Sequence, residues 1–110
     1  MRRVVITGMG VIASTGKNVT SFVDNLARGS SGIRRITLWD PSALSIQIAA
    51  EVPDYVPTDY FQLKQLDLMD RFTQFALIAA REAMESSQVK ITEEEAPRLG
   101  VAMCPRSGLF

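Results

Sequence analysis

Histidine is absent from this chain, and cysteine occurs once, at position 104. The absence of histidine removes the commonest general base and the commonest zinc ligand. A Ser-His or Cys-His catalytic pair therefore cannot be completed by this chain alone. The single cysteine excludes an internal disulfide and fits a reducing compartment. Cys104 has only Arg106 as a basic neighbour, and we interpret its thiol as incidental. We predict no catalytic residue, metal site or cofactor site here.

An excess of charge is also absent, since 12 basic residues balance 12 acidic ones. This balance argues against nucleic acid or a membrane surface as a partner. No apolar run approaches the roughly 18 residues of a transmembrane helix. Arg2-Arg3 and the apolar residues after them mimic a short signal peptide, but Gly8 and Gly10 dilute its core, and a strand explains the segment better. We therefore expect a soluble, cytoplasmic protein.

The patterns that are present alternate between strand and helix. Val4–Ile12 is rich in β-branched residues, as in a strand buried on both faces. Asn18 can cap a helix that Gly29 ends. Residues 30–45 have no clear period and predict a loop. Ile46–Val52 alternates as a second strand does, and prolines follow it.

The longest predicted element is a helix from about Asp67 to Ser87. Thr92 and Glu95 have capping-box spacing before a short turn, and Arg98–Met103 predicts a third strand. The resulting order, β-α-β-α-β, indicates an α/β layered fold. The apolar stripe of the long helix comprises Met69, Phe72, Ala76, Ala79, Ala80 and Ala83.

Gly8-Met-Gly10-Val-Ile-Ala13 has the spacing of a dinucleotide fingerprint. That motif needs a helix to begin at the second glycine, so that its amides meet a pyrophosphate. Here the apolar run continues, and the first helix start lies near Asn18. A phosphate loop is also disfavoured, because five residues instead of four separate Gly10 from Gly16. A nucleotide-binding domain is therefore the weakest of the functions we consider.

Six segments together resemble one family, the β-ketoacyl-[acyl-carrier-protein] synthases of the type II elongating class. The similarity to their N-terminal quarter covers residues 2–103, in order and at matching spacings. The segments are Arg2-Arg3-Val-Val-Ile-Thr-Gly-Met-Gly10, Ser30-Ser-Gly-Ile33, Ile48-Ala-Ala-Glu-Val52, Met69-Asp-Arg-Phe-Thr-Gln-Phe-Ala76, Ala80-Arg-Glu-Ala-Met84 and Ile91-Thr-Glu-Glu-Glu-Ala-Pro-Arg-Leu-Gly100.

The resemblance implies the N-terminal fragment of a thiolase-like fold, in which two α/β halves pack into a layered αβαβα structure. It implies a homodimeric parent enzyme that performs a decarboxylating Claisen condensation in fatty acid biosynthesis. An acyl chain on a cysteine thiolate is attacked by the carbanion from malonyl-carrier protein, with two histidines polarising the malonyl thioester. In the family, the cysteine and both histidines lie downstream of the part represented here.

The chain departs from the family after Met103. Residues 104–110 form a divergent tail in place of a glycine-rich loop, and Cys104 does not match the family's nucleophile. We therefore expect residues 1–110 to be a partial domain from a truncated, frame-shifted or fragmentary product. Such a chain is expected to be inactive alone. With its sheet incomplete, it should also be poorly soluble or oligomeric.

The resemblance also suggests sites. Relatives often carry several basic residues just before the Met-Asp pair, where an acidic carrier protein docks. Here residues 62–68 retain only Lys64, so that contact is weakened. Asp70, Arg71 and Phe72 match a block that suggests the dimer interface or the pocket entrance. Helix capping by Asp70 and core packing by Phe72 and Phe75 are the competing interpretations. The role of Trp39 stays open.

Two further functions stay open beside the synthase fragment. One is a non-catalytic interaction module that pairs with a complete synthase through the strands and helices it shares with one. The other is the small nucleotide-binding α/β domain. Bacterial cytoplasm is the favoured location, with plastid stroma and mitochondrial matrix as alternatives.

Overall fold

A computed structural model describes residues 1–103; Cys104 and the predicted divergent tail lie outside them. The secondary structure in this range is mainly helical, with one small sheet. Its elements are α1 (Val19–Ala27), β1 (Arg34–Arg35), β2 (Ile48–Ala49), α2 (Leu63–Leu66) and α3 (Arg71–Ser87), with 3-10 turns at Pro57–Asp59 and Ala96–Arg98.

Helix α1 begins and ends as predicted. The Asn18 side chain accepts a hydrogen bond from the Ser21 amide at 2.8 Å, and the Ser21 hydroxyl accepts one from the Asn18 amide. At the other end Gly29 takes a left-handed φ of 67°. The amides of Gly29 and Ser30 donate to the carbonyls of Leu26 and Asn25, as in a Schellman motif.

Strands β1 and β2 are antiparallel, with Arg34 opposite Ala49 and Arg35 opposite Ile48. The loop predicted over residues 30–45 is therefore interrupted by a strand that its composition did not reveal. The strand predicted over Ile46–Val52 forms only at its centre. Each strand is only two residues long, because few neighbouring strands are present among the described residues to extend the sheet.

Helix α3 begins four residues later than predicted. Residues 63–66 form the separate helix α2, and Asp70 caps α3 by accepting a hydrogen bond from the Thr73 amide at 3.0 Å. The predicted apolar stripe is only partly correct, because Phe72 is 57% exposed and Ala80 is exposed. The buried residues of α3 are instead Gln74 and Ile78.

The segment predicted as a strand over Val4–Ile12 forms no ladder with any described residue. The segment lies along α3 instead, with Gly8 and Gly10 against the helix backbone. Val4 and Ile6 are 95% and 86% exposed. A strand needs a hydrogen-bonded neighbour, and residues 1–103 supply none at this segment.

The third predicted strand, Arg98–Met103, is likewise not formed within residues 1–103, and its first residue ends a 3-10 turn. The capping box before it is confirmed: the Thr92 amide donates to the Glu95 carboxylate, and the Glu95 amide donates to the Thr92 hydroxyl. Among the described residues, no helix is long and apolar enough to cross a membrane.

Candidate functional site

The glycines of the N-terminal segment allow it to lie against the backbone of α3. A Cβ placed on Gly8 would lie 2.1 Å from the carbonyl oxygen of Ala83, and one on Gly10 would lie 1.9 Å from that of Ala79. Ala79 and Ala83 are one helical turn, about 6 Å, apart. Two residues of extended chain span about 6.6 Å. The segment is therefore extended and runs antiparallel to α3.

The carboxylate of Glu82 on α3 joins this segment to α1. One oxygen accepts a hydrogen bond from the Val11 amide at 2.9 Å, and the other accepts one from the Val19 amide at 2.8 Å. Val19 is the first residue of α1, so the negative charge lies at the positive end of that helix dipole. We call these two hydrogen bonds the Glu82 clamp.

Ser86, one turn further along α3, binds the same segment. Its hydroxyl accepts a hydrogen bond from the Met9 amide at 3.0 Å and lies 3.1 Å from the Met9 carbonyl as a donor. The Met9 amide thus finds its acceptor on a side chain in place of a neighbouring strand, and the single hydroxyl proton is shared between the carbonyls of Met9 and Ala83, both at 3.1 Å. This contact holds Gly8 and Gly10 against the helix.

These contacts explain the glycine motif without a phosphate. The first amides of a helix have no acceptor within it. In α1 the Val19 amide already donates to Glu82, and the Ser21 amide donates to the Asn18 side chain. The two glycines face α3 carbonyl oxygens, which would repel an anion. Gly8 and Gly10 therefore serve close backbone packing.

A second cluster surrounds the start of α3. The guanidinium carbon of Arg71 lies 5.1 Å from the ring centre of Tyr55 and 5.3 Å from that of Phe75. These two rings meet edge to face at 4.9 Å. The Tyr55 hydroxyl donates to Gln74 Oε1 at 2.6 Å, and Gln74 Nε2 donates to the Met69 carbonyl. Burial raises the pKa of the Tyr55 phenol above 10.0, against the opposing effect of Arg71.

Glu51 lines one cleft together with Tyr55 and Arg71. Its carboxylate is bound by local hydrogen-bond donors. Its Oε2 accepts hydrogen bonds from the amide and hydroxyl of Thr37 at 3.0 and 2.8 Å, and its Oε1 accepts one from the Leu38 amide at 3.3 Å. The Thr37 amide, followed by its hydroxyl, holds the pKa of Glu51 below the usual 4.5. The carboxylate thereby fastens residues 37–38 to the end of β2.

The structure places the predicted site residues in different environments. Lys64 is exposed on α2, more than one turn before α3 begins. Asp70 is the cap of α3, and Phe72 is exposed. Only Arg71 belongs to a cluster, together with Phe75. Trp39 is 53% exposed in the loop between β1 and β2.

Sequence reasoning missed Glu82, Ser86, Glu51 and Tyr55. Glu82 and Ser86 are spaced four apart on the face of α3 that also carries Ala79 and Ala83, and this spacing was the available signal. Glu51 and Tyr55 act across loops, so nothing in their local pattern reveals them. Residues 1–103 contain no group of His, Cys, Asp and Glu side chains that could hold a metal ion.

The fold and these contacts define an α/β segment in which a glycine-bearing chain packs on a long helix. The chain belongs to the β-ketoacyl synthase family, whose N-terminal domain, "Beta-ketoacyl synthase, N-terminal domain", matches residues 1–108. It is 46% identical over 102 residues to "3-oxoacyl-[acyl-carrier-protein] synthase 2" of Coxiella burnetii, covering 93% of this chain and 25% of that protein. The protein of the same name from Staphylococcus aureus strain COL is 41% identical over 100 residues, covering 91% of this chain and 24% of that protein.

A solved structure, "The ishigamide ketosynthase/chain length factor", is similar with a TM-score of 0.72 and 40% identity. That similarity covers 81% of this chain and 22% of the solved chain. The predicted α/β fold class is confirmed, as the amino-terminal part of a thiolase-like ketosynthase fold. The chain spans about a quarter of the length of the curated relatives it matches.

Proposed function

We propose that this chain supplies the amino-terminal scaffold of a 3-oxoacyl-[acyl-carrier-protein] synthase. The complete protein would perform a decarboxylating Claisen condensation between an acyl chain and malonyl-carrier protein. The observation that carries the proposal is the match of residues 1–108 to the family's N-terminal domain. The chain has no histidine, so the two histidines that polarise the malonyl thioester must be supplied by another part of the complete protein.

The scaffold role rests on how the N-terminal segment is held. Gly8, Gly10, Glu82 and Ser86 attach one face of the segment to α3 and leave the other face exposed. An extended segment that is fixed on one side and free on the other is suited to receive a neighbouring strand. In this proposal, the remaining part of the synthase provides that strand.

The partner residues are part of the same proposal. Acyl carrier protein would contact the exposed Lys64, with a weakened interaction because no second basic residue lies in residues 62–68. Arg71 and Phe72 would lie at the dimer interface or pocket entrance of a homodimer. Asp70 would act there through its cap of α3. The bacterial relatives favour a bacterial cytoplasmic protein.

Complementation tests the scaffold role. The chain is assayed for condensation alone and then co-expressed with the Staphylococcus aureus synthase 2 lacking its own matching 100 residues. We expect no activity from either part and measurable activity from the pair. Gly10→Val, which blocks contact with α3, should abolish the recovered activity, and Gly100→Val, in open space, should preserve it. Failure of the soluble pair to condense substrates would contradict the proposal.

The interaction module is the second candidate, and the exposed Val4, Val5 and Ile6 favour it. These side chains could associate with an intact synthase through the strands and helices that the chain shares with it. Co-purification of the chain with a complete, active synthase would support this function. Recovery of activity only with the shortened synthase would support the scaffold instead.

A further inference from the structure

We propose that the cleft between the β1–β2 hairpin and the start of α3 binds a phosphate-type dianion. Its polar lining consists of Arg34, Arg35, Thr37, Glu51, Asp54 and Arg71, together with the ring of Tyr55. We call it the arginine cleft. The inference does not depend on the proposed function, because none of its steps uses the condensation reaction.

The donors of the arginine cleft exceed its acceptors. Three arginines and two acidic residues line it, so the formal charge of the lining has one positive charge in excess. The Glu51 carboxylate is already bound by the Thr37 and Leu38 amides, and among the described residues no hydrogen bond joins it to an arginine, although Arg71 attracts it electrostatically. Within residues 1–103, no acceptor forms a hydrogen bond with the guanidinium of Arg34 or Arg71.

Two aromatic rings orient Arg71 before any ligand arrives. Its guanidinium lies over the rings of Tyr55 and Phe75, at 5.1 and 5.3 Å from their centres. Stacking on an aromatic face leaves the in-plane N–H groups free, and these match the geometry of a phosphate. Tyr55 is itself held by its hydrogen bond to Gln74. Little side-chain entropy is therefore lost when Arg71 binds an anion.

The hairpin orients a second donor. Arg35 donates from one terminal nitrogen to Gln47 Oε1 at 2.6 Å, which leaves its other N–H groups available. Arg34, its neighbour on β1, is exposed, and its guanidinium donates no hydrogen bond to any described residue. A tetrahedral dianion presents a separate oxygen to each of several such groups and carries twice the charge of chloride. This chemistry selects phosphate, either free or as the terminal group of a larger molecule.

Titration of the full 110-residue chain with inorganic phosphate tests the proposal. Calorimetry is followed at constant ionic strength, together with the fluorescence of Trp39, which is the only tryptophan and adjoins Leu38 of the cleft lining. We expect saturable binding that chloride does not reproduce. Arg71→Gln and Arg34→Gln should each weaken binding by about tenfold, the usual effect of losing one charge-assisted contact.

Arg28→Gln is the matched control, because Arg28 is an exposed arginine at the end of α1 and outside the cleft lining. It should leave binding unchanged, and Glu51→Gln should strengthen binding by removing a like charge. Far-UV circular dichroism confirms that each variant is folded, and Arg34→Gln removes no side-chain hydrogen bond seen among the described residues. Phenyl phosphate distinguishes the sources: tighter binding than inorganic phosphate indicates a larger ligand, and equal binding indicates the free ion. An absence of saturable binding, or equal weakening by Arg28→Gln, would overturn the site.

Discussion

The carboxylate of Glu82 accepts a hydrogen bond from the backbone amide of Val19 at 2.8 Å, and this contact joins α3 to the first turn of α1. The two residues are 63 positions apart in the chain. The same carboxylate holds the Val11 amide, so one side chain fixes three parts of the fold.

Replacing Glu82 should destabilise the fold, because backbone amides of the N-terminal segment and of α1 lose a charged acceptor. Glu82→Gln retains one acceptor and should lower the free energy of unfolding by about 1–3 kcal/mol, with Glu82→Ala costing more. Denaturant unfolding followed by Trp39 fluorescence measures this. Glu85→Ala is the control, since its exposed side chain on the same helix forms no such bond. Equal loss in both alanine variants would contradict the clamp.

Adding one methyl group to Gly10 should be more disruptive than its size suggests. The new Cβ would lie 1.9 Å from the Ala79 carbonyl oxygen, so the segment must move away from α3. We expect Gly10→Ala to cost about 1–3 kcal/mol, as overpacking does. Gly100→Ala meets no atom of residues 1–103 within 4 Å and should be nearly neutral. Hydrogen exchange should show faster exchange of the Met9 amide in the first variant only.

The contribution of Glu51 to the stability of the fold should depend on pH. Its pKa is lower in the folded chain than the usual 4.5, so the ionised form stabilises the fold above that pH. This stabilisation should be lost as the pH falls through the folded pKa. The difference in unfolding free energy between the chain and Glu51→Gln should therefore be constant near neutrality and shrink below about pH 4.5. Glu94→Gln, at an exposed position, is the control for the change in net charge; a Glu51→Gln difference that persists in acid would refute the assignment.

Removing the hydroxyl of Tyr55 should show how much its hydrogen bond to Gln74 contributes to stability. Tyr55→Phe leaves the buried Gln74 oxygen without its donor, at a cost of about 1–3 kcal/mol in unfolding free energy. Tyr60→Phe is the control, because the Tyr60 hydroxyl forms no hydrogen bond among the described residues. A double-mutant cycle of Tyr55→Phe with Gln74→Leu should show strong coupling. Additive effects would mean that the bond contributes little.

The exposed N-terminal segment should promote association of the isolated chain. Val4 and Ile6 present β-branched side chains and unpaired backbone groups, as an edge strand does. We expect oligomers in light scattering after size-exclusion chromatography, reduced by Ile6→Lys. Leu44→Lys, in the loop between β1 and β2, should have no such effect. A monomeric chain with a sharp cooperative melt would contradict this prediction.

Local signals in the sequence predicted the features that depend on adjacent residues. The Asn18 cap, the Gly29 stop and the Thr92–Glu95 box are confirmed because each is completed within a few positions of the chain. The predicted start of α3 near Asp67 was wrong. Asp70 caps α3, whereas Asp67 lies at the end of α2. The outer strands were predicted from residue type alone, whereas a strand also requires a partner.

The amino-acid sequence by itself determined the family, because six segments at fixed spacings carry it along almost the whole chain. It also determined that no histidine chemistry can come from these residues. Only the tertiary structure decided what Gly8, Gly10, Glu82 and Arg71 do. Their roles depend on contacts with α3, α1 and the Tyr55 ring, which lie many positions away. Hydrogen bonds and close packing act across a few ångströms of space, and the order of residues does not specify which distant groups meet there.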